Sequence, residues 1–330
     1  MRIGAHVSAA GGPERAVRRA SEIGAECLQI FVGSPQTWAQ PRLALEDVTA
    51  FRAALVEADL HPLFVHAPYL ANLASARPEV RSASRRALGH QLAWADRLGA
   101  VGVVVHVGSG GASARSAPPA GAQGADICED AFDLAAAGLE AVLRGHAGRA
   151  ALILENDAGS GRRIGRSFAE LGQLIRALGG DERLLVCLDT AHALAAGYEI
   201  RTPGGLDEAL TELDSHVGLR RLALVHANDS KVDLGANVDR HENVGRGKIG
   251  LVAFARILAH PALRELPFVL EVPGYDGEGP DRANVDVLRW LAGRPLRPRP
   301  PTADRPRPEP LPLGERETPS SASAEGGQDS

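Results

Sequence analysis

Residues 150–155 read AALILE, five apolar positions followed by a carboxylate, with no Gly or Pro among them. A continuous apolar run of this length suits a strand buried on both faces, as in a parallel sheet covered by helices. The same kind of unit recurs in both directions along the chain. Runs at 2–6, 26–31 (ECLQIF), 63–67 (LFVHA), 101–107 (VGVVVHV), 184–189 (LLVCLD), 222–227 (LALVHA) and 268–272 (FVLEV) bring the number of strands to eight. Between them lie Ala/Arg/Leu-rich stretches of helical period, predicted as helices near 12–23, 44–58, 79–97, 128–145, 166–178, 205–217 and 249–260, with a last one near 281–292. Eight alternating units predict an α/β fold, a (β/α)8 TIM barrel. An open doubly wound sheet is the competing arrangement, but no GxGxxG follows the first strand, so the usual dinucleotide fingerprint is missing.

Two segments depart from the rhythm of this 330-residue chain. From Gly293 to Ser330 there are nine Pro, six Arg and six acids, and no aromatic or β-branched aliphatic residue. A segment that cannot bury apolar surface cannot offset the entropy of ordering, so a barrel domain at 1–292 and a disordered Pro/Arg-rich tail at 293–330 are expected. Residues 108–125 (GSGGASARSAPPAGAQGA) read as a long loop after the fourth run, a solvated insertion for which no role is assigned. Cys27, Cys128 and Cys187 are too few and too scattered for a disulfide framework or a thiolate zinc ribbon, and they fit a reducing cytoplasm. Neither a signal peptide nor an apolar run of about eighteen residues is present, so no membrane partner and a cytoplasmic protein, taken as a monomer, are expected. With 36 Lys+Arg against 41 Asp+Glu, the net charge of −5 argues against non-specific coating of nucleic acid, though not against a basic groove on one face.

The ends of the runs carry the chemistry. Six finish in or beside a metal-ligand type: His66, His106, Glu155, Asp189, His226 and Glu271; the first run also reaches His6. In a barrel the C-terminal ends of all strands converge on one face, so residues scattered along the chain become one cluster. A single such residue is ordinarily structural, but six at the same topological position are not explained by packing. Buried together, these carboxylates and imidazoles call for bound cations. Asp189-Thr190-Ala191-His192 adds a ligand type three residues after a strand end. Asp239-Arg240-His241 places two more on alternate residues, which share a side if the segment is extended. Imidazole mixed with carboxylate, without thiolate, suits zinc or manganese in a catalytic site. Nine such residues can hold two or three ions. Three divalent ions add +6 to the −5, giving about +1 for the loaded protein, with the positive charge concentrated where a phosphodiester would be attracted.

In order along the chain stand GAHVSAAGG at 4–12, HAPYLANLA at 66–74, HVGS at 106–109, ENDAGSG at 155–161, CLDTAHALAAGY at 187–198, HANDSK at 226–231, DRHENVGRGKIG at 239–250 and LEVP at 270–273. This series resembles endonuclease IV, the family of zinc-dependent apurinic/apyrimidinic endonucleases of base-excision repair, from the N-terminus to about residue 292. The resemblance implies a trinuclear zinc site, with partial manganese loading allowed. One zinc would be held by His66, His106 and Glu155; a second by Glu155, Asp189, His226 and Glu271; a third by His192, Asp239 and His241. It implies hydrolysis of the phosphodiester 5′ to an abasic site in duplex DNA, leaving a 3′-hydroxyl and a 5′-deoxyribose phosphate. A hydroxide shared by the first two ions would be the in-line nucleophile, and Glu155 would orient it or accept its proton. The substrate would be read by bending the duplex and extruding a nucleotide that has lost its stacking.

Departures and DNA contacts complete the expectation. Where the family commonly carries an Arg shortly before a Trp, proposed to fill the gap in the bent duplex, this chain has Gln36 in SPQTW at 34–38. Tyr69 matches a family position that intrudes into DNA, and Lys231 and Arg240 are candidate phosphate contacts. His6, Asn72, Ser109, Asn156 and Asp229 fall within the motifs as groups that would orient ligands. Cys187 reads as a small buried hydrophobe. His61, His90, His146, His216 and His260 lie outside the motifs and are assigned no function. The closest rival is a sugar isomerase or epimerase on a related barrel, which has no need of the set formed by His192, Asp239 and His241. A DNA-damage binder without catalysis finds no support, since no ligand position is lost.

Overall fold

A computed structural model of the chain describes residues 1–40, 42–110 and 129–297. The strands are β1 (Arg2–His6), β2 (Leu28–Phe31), β3 (Leu63–His66), β4 (Gly102–Val105), β5 (Ala151–Glu155), β6 (Leu184–Asp189), β7 (Leu222–His226), β8 (Asp229–Ser230), β9 (His241–Glu242) and β10 (Pro267–Leu270). The helices are α1 (Pro13–Glu22), α2 (Leu45–Glu57), α3 (Pro78–Leu98), α4 (Glu129–Arg144), α5 (Phe168–Ala177), α6 (Thr190–Ala196), α7 (Pro203–His216), α8 (Gly250–Ala259) and α9 (Arg282–Leu291). Strands β1 to β7 and β10 are parallel and close on themselves in the order β1-β10-β7-β6-β5-β4-β3-β2. The expected TIM barrel is therefore the observed fold, and the open sheet is excluded by the β1–β2 pairing that closes the ring. The expected loop at 108–125 lies outside the described residues from 111 onward, and the expected tail does so from 298.

Period-2 alternation sorts the strand residues into two cores. One apolar set packs between the strands and the surrounding helices. A second, separate cluster holds Cys27, Phe64, Val104, Ile153, Cys187, Leu224 and Val269 and fills the barrel interior. Successive inward-facing positions on a strand are two residues apart. Two residues beyond these interior side chains come Gln29, His66, His106, Glu155, Asp189, His226 and Glu271. The candidate ligands are thus the next layer of the barrel interior, at its C-terminal mouth.

The opposite mouth is closed by charge. Glu26 is buried, accepts from the Ile3 amide at 3.1 Å and from Arg294 through Nη1 and Nη2 at 2.7 and 3.0 Å, and is ion-paired with Arg289 Nη1 at 2.7 Å. Burial opposes its ionisation, but these donors outweigh burial and hold its carboxyl below the usual range. Arg297 adds a contact to Asp59 at 3.6 Å, so residues 294–297 lie against the barrel beyond the last helix.

Candidate metal centre

Local chemistry puts each side chain in place. Strands β3, β5, β6 and β7 end at His66, Glu155, Asp189 and His226, while His106 and Glu271 follow β4 and β10 by one residue. Asp189 also caps α6, an element the apolar pattern does not announce: its Oδ1 accepts from the His192 amide at 2.8 Å. That cap requires the three-residue spacing and turns His192 back over the mouth. Gly197, at φ 110°, ends this short helix in a conformation that favours glycine. Asp239 and His241 arrive on the hairpin of β8 and β9, with Asp239 Oδ1 3.2 Å from His241 Nε2. The fully buried Asp229 shapes this hairpin, since its carboxylate accepts the amides of Gly245, Gly247 and Ile249 at 2.9, 3.1 and 2.9 Å.

Three convergences result. In the first, His66 Nε2 and His106 Nε2 lie 3.4 and 3.3 Å from Glu155 Oε2, an atom with no hydrogen-bond donor of its own. His66 Nδ1 faces the Ala67 carbonyl at 2.8 Å and must be the protonated nitrogen, so its Nε2 lone pair points at a carboxylate oxygen. In the second, His226 Nδ1 lies 2.9 Å from Glu155 Oε1, 3.2 Å from Glu271 Oε2 and 3.9 Å from Asp189 Oδ2. In the third, His192 Nε2 and His241 Nε2 approach to 3.3 Å, with Asp239 Oδ1 at 3.3 and 3.2 Å from them. Their Nδ1 atoms face the carbonyls of Asn156 and Glu271 at 3.0 and 3.3 Å, which again leaves lone pairs pointing inward.

Lone pairs aimed at one another and at carboxylates repel unless a proton or a metal cation lies between them. The donor sets fit such ions: His66, His106 and Glu155; Glu155, Asp189, His226 and Glu271; and Asp189, His192 and His241 each bring ligand atoms within 4.8 Å of one another. Titration reflects the same crowding. Burial opposes ionisation of Glu155, but His106 and His226 hold its carboxyl well below the usual range. Burial likewise lowers His192 and His226; nearby carboxylates, led by Asp189 for His192 and including Glu271 and Glu155 for His226, contribute to raising both well above the ordinary value. Asp239 and Glu271 are displaced downward against their burial, chiefly by His192 and by His226. Cys187 Sγ also comes near Glu155 and His226, but burial pushes its thiol up to about 12 and keeps it protonated.

The profile of the xylose isomerase-like TIM barrel family matches residues 17–293. The probable endonuclease 4 of Halorhodospira halophila is 40% identical over 293 residues, covering 88% of this chain and 93% of that protein. The chain belongs to the endonuclease IV family. A second member, the probable endonuclease 4 of Methanoculleus marisnigri, is 38% identical over 88% of this chain and 99% of its own length. The crystal structure of endonuclease IV from Thermus thermophilus superposes with a TM-score of 0.75 at 35% identity, covering 89% of this chain and 99% of that one. A D-tagatose 3-epimerase-like protein also superposes, with a TM-score of 0.64 over 89% of this chain and 97% of that one, but at 16% identity it shares only the fold. As a member of this family the chain is an AP endonuclease, and the sugar-epimerase alternative falls.

The remaining predicted residues divide by position. Tyr69 is 67% exposed at the rim, with its ring edge-on to Phe31 at 5.2 Å between centroids. Its amide bonds the Pro35 carbonyl at 3.1 Å, which places the exposed Gln36 loop next to it. Lys231 and Arg240 are exposed on the β8–β9 hairpin, joined by a 2.9 Å backbone bond. His6 Nδ1 meets Glu271 Oε1 at 3.0 Å, and Asn156 donates to the Asp189 carbonyl and accepts its amide at 3.1 and 2.6 Å. Asn72 instead ties two loops together through Ser109, at 3.1 and 3.0 Å. Asn228 and Asp157 are among the residues that escaped the sequence reading. Asn228 donates to Asp189 Oδ2 at 2.6 Å and accepts the Glu271 amide at 2.7 Å; Asp157 stands 3.4 Å from His106 Nδ1 and 3.0 Å from Arg163 Nη1. Both lie inside quoted motifs, HANDSK and ENDAGSG, and a buried amide or carboxylate beside a ligand was the available signal.

A cleft of about 420 Å³ opens over His66, His106, His192 and His241, walled by Tyr69 on one side and by segment 272–280 on the other. Among the described residues no helix is long and apolar enough to cross a membrane.

Proposed function

We propose that this endonuclease IV family member hydrolyses the phosphodiester 5′ to abasic sites in duplex DNA, leaving a 3′-hydroxyl and a 5′-deoxyribose phosphate, and that it works with three zinc ions. The observation that carries the proposal is the triple convergence of imidazole lone pairs on carboxylates: His66 and His106 on Glu155, His226 among Glu155, Glu271 and Asp189, and His192 with His241 on Asp239. Zinc bound in these sets would supply Lewis-acid stabilisation of the phosphoryl charge and a water deprotonated near neutral pH.

The chain's own residues do the rest. Glu155, buried and with Oε2 lacking a hydrogen-bond donor, would hold an ion with His66 and His106 and orient the attacking water beside it. Backbone carbonyls at Ala67, Asn156 and Glu271 hold three imidazoles with their free nitrogens inward, so the site needs little reorganisation as charge develops. Tyr69 enters the distorted duplex, with Gln36 at the neighbouring loop tip, while Lys231 and Arg240 meet phosphates. An extruded abasic nucleotide fits the cleft because no base needs to be accommodated.

The direct test is incubation of the purified protein with a duplex containing one abasic-site analogue, before and after prolonged chelation. Expected is a nick 5′ to the lesion that is lost on chelation and restored by zinc. A nick on the 3′ side, or incision indifferent to metal, would refute the proposal.

A further inference from the structure

Seven of the eight barrel strands bring a carboxylate or an imidazole to the mouth. The exception is β2, whose side chain in that layer is Gln29, two residues beyond the interior Cys27 and paired in register with His6. Gln29 is fully buried, and its amide makes contacts to three sides. Nε2 lies 2.7 Å from Glu271 Oε1 and 3.0 Å from His6 Nδ1, and Oε1 lies 3.0 Å from His226 Nε2.

The amide can sit only one way round. Glu271 is a carboxylate and cannot donate, so the atom 2.7 Å from it must be the NH2 group. The carbonyl oxygen therefore faces His226 Nε2 and requires a proton there. With Nε2 protonated, the lone pair of the neutral ring is on Nδ1, the atom that faces Glu155, Glu271 and Asp189. The same amide engages Glu271 Oε1 and leaves Oε2 as the oxygen turned to His226 Nδ1. Backbone carbonyls orient His66, His192 and His241; for His226 the orienting group is this one side chain.

We infer that Gln29 is a positioning residue of the metal centre, its amide selecting Nδ1 of His226 and Oε2 of Glu271 as the atoms presented to the cation they share with Glu155 and Asp189. The inference rests on the metal-centre reading above. It assigns β2 a part in the site that no ligand-type residue on that strand would reveal.

The test uses Gln29→Met, which keeps length and bulk but removes the amide, and Gln29→Glu, which keeps an acceptor for His226 while setting a second carboxylate against Glu271. Zinc content is measured after gel filtration, together with the rate of zinc transfer to a chelator and the imidazole N–H spectrum of the zinc-loaded protein. Expected for Gln29→Met is a zinc-free protein that still melts cooperatively, about 10–100-fold weaker retention of one ion of the set, and loss of a slowly exchanging His226 Nε2 proton. Gln29→Glu should keep that proton and still lose the ion, and it carries the test should the Met variant fail to fold. Zinc release from Gln29→Met within twofold of the wild type, with the imidazole proton unchanged, would overturn the inference. A wild type that holds zinc but does not incise would sink the proposed reaction alone; one that holds no zinc would sink both.

Discussion

Replacing Glu155 by Gln should separate the three convergences by metal count. Glu155 is fully buried and both of its oxygens are committed: Oε2 lies 3.4 and 3.3 Å from His66 and His106, and Oε1 lies 2.9 Å from His226. Gln has the same shape but no charge, and its NH2 group would donate to an imidazole lone pair that the cation needs. Two of the three convergences contain Glu155, whereas in the third His192 and His241 meet Asp189 and Asp239. Elemental analysis after gel filtration should therefore find one ion per chain in Glu155→Gln and two in His241→Ala, against three in the wild type. Loss of the shared carboxylate removes several kcal/mol of transition-state stabilisation. Taking about 4 kcal/mol, incision of an abasic duplex should fall about a thousandfold. Binding of the duplex should fall much less, because the rim residues are untouched. A Glu155→Gln protein that keeps all three ions would refute the shared-carboxylate reasoning, and a His241→Ala protein that keeps three would detach the hairpin from the site.

Two further outcomes concern other parts of the molecule. Glu26→Ala leaves Arg289 buried beside no carboxylate and should cost about 3–5 kcal/mol, or about 6–10 °C in melting temperature for a chain of this size; truncation after Ala292, which removes Arg294 and Arg297, should share part of that loss, while truncation after Arg297 should not. Because the folded Glu26 carboxyl sits below its unfolded value, its contribution is present above the unfolded pKa and disappears as pH falls through the folded one, so acid melts of wild type and Glu26→Gln should converge at low pH; curves that stay parallel would contradict this. Gln36→Arg, at the exposed loop beside Tyr69, should tighten binding of abasic duplex and steepen its salt dependence by about one unit without changing zinc content, and an unchanged salt slope in a binding titration would remove position 36 from the DNA contacts.

Sequence periodicity alone determined the barrel. Runs such as AALILE and LLVCLD are buried on both faces because parallel strands under helices have no solvent face, and that requirement is local enough to read from one chain. The residues at the strand ends were legible for the same reason: a polar side chain closing an apolar run costs free energy unless it has a task. Which of them meet, and through which atoms, was decided by the closed ring. It brings Glu271 on the last strand beside His6 on the first, 265 positions apart, and sets Glu155 between His66, His106 and His226. The brackets at Asn228 and Asp157, the single orientation open to Gln29 and the closure of Glu26 by Arg294 are all contacts between residues far apart in the chain. Hydrogen bonds act over about 3 Å, and only tertiary structure says which residues come that close.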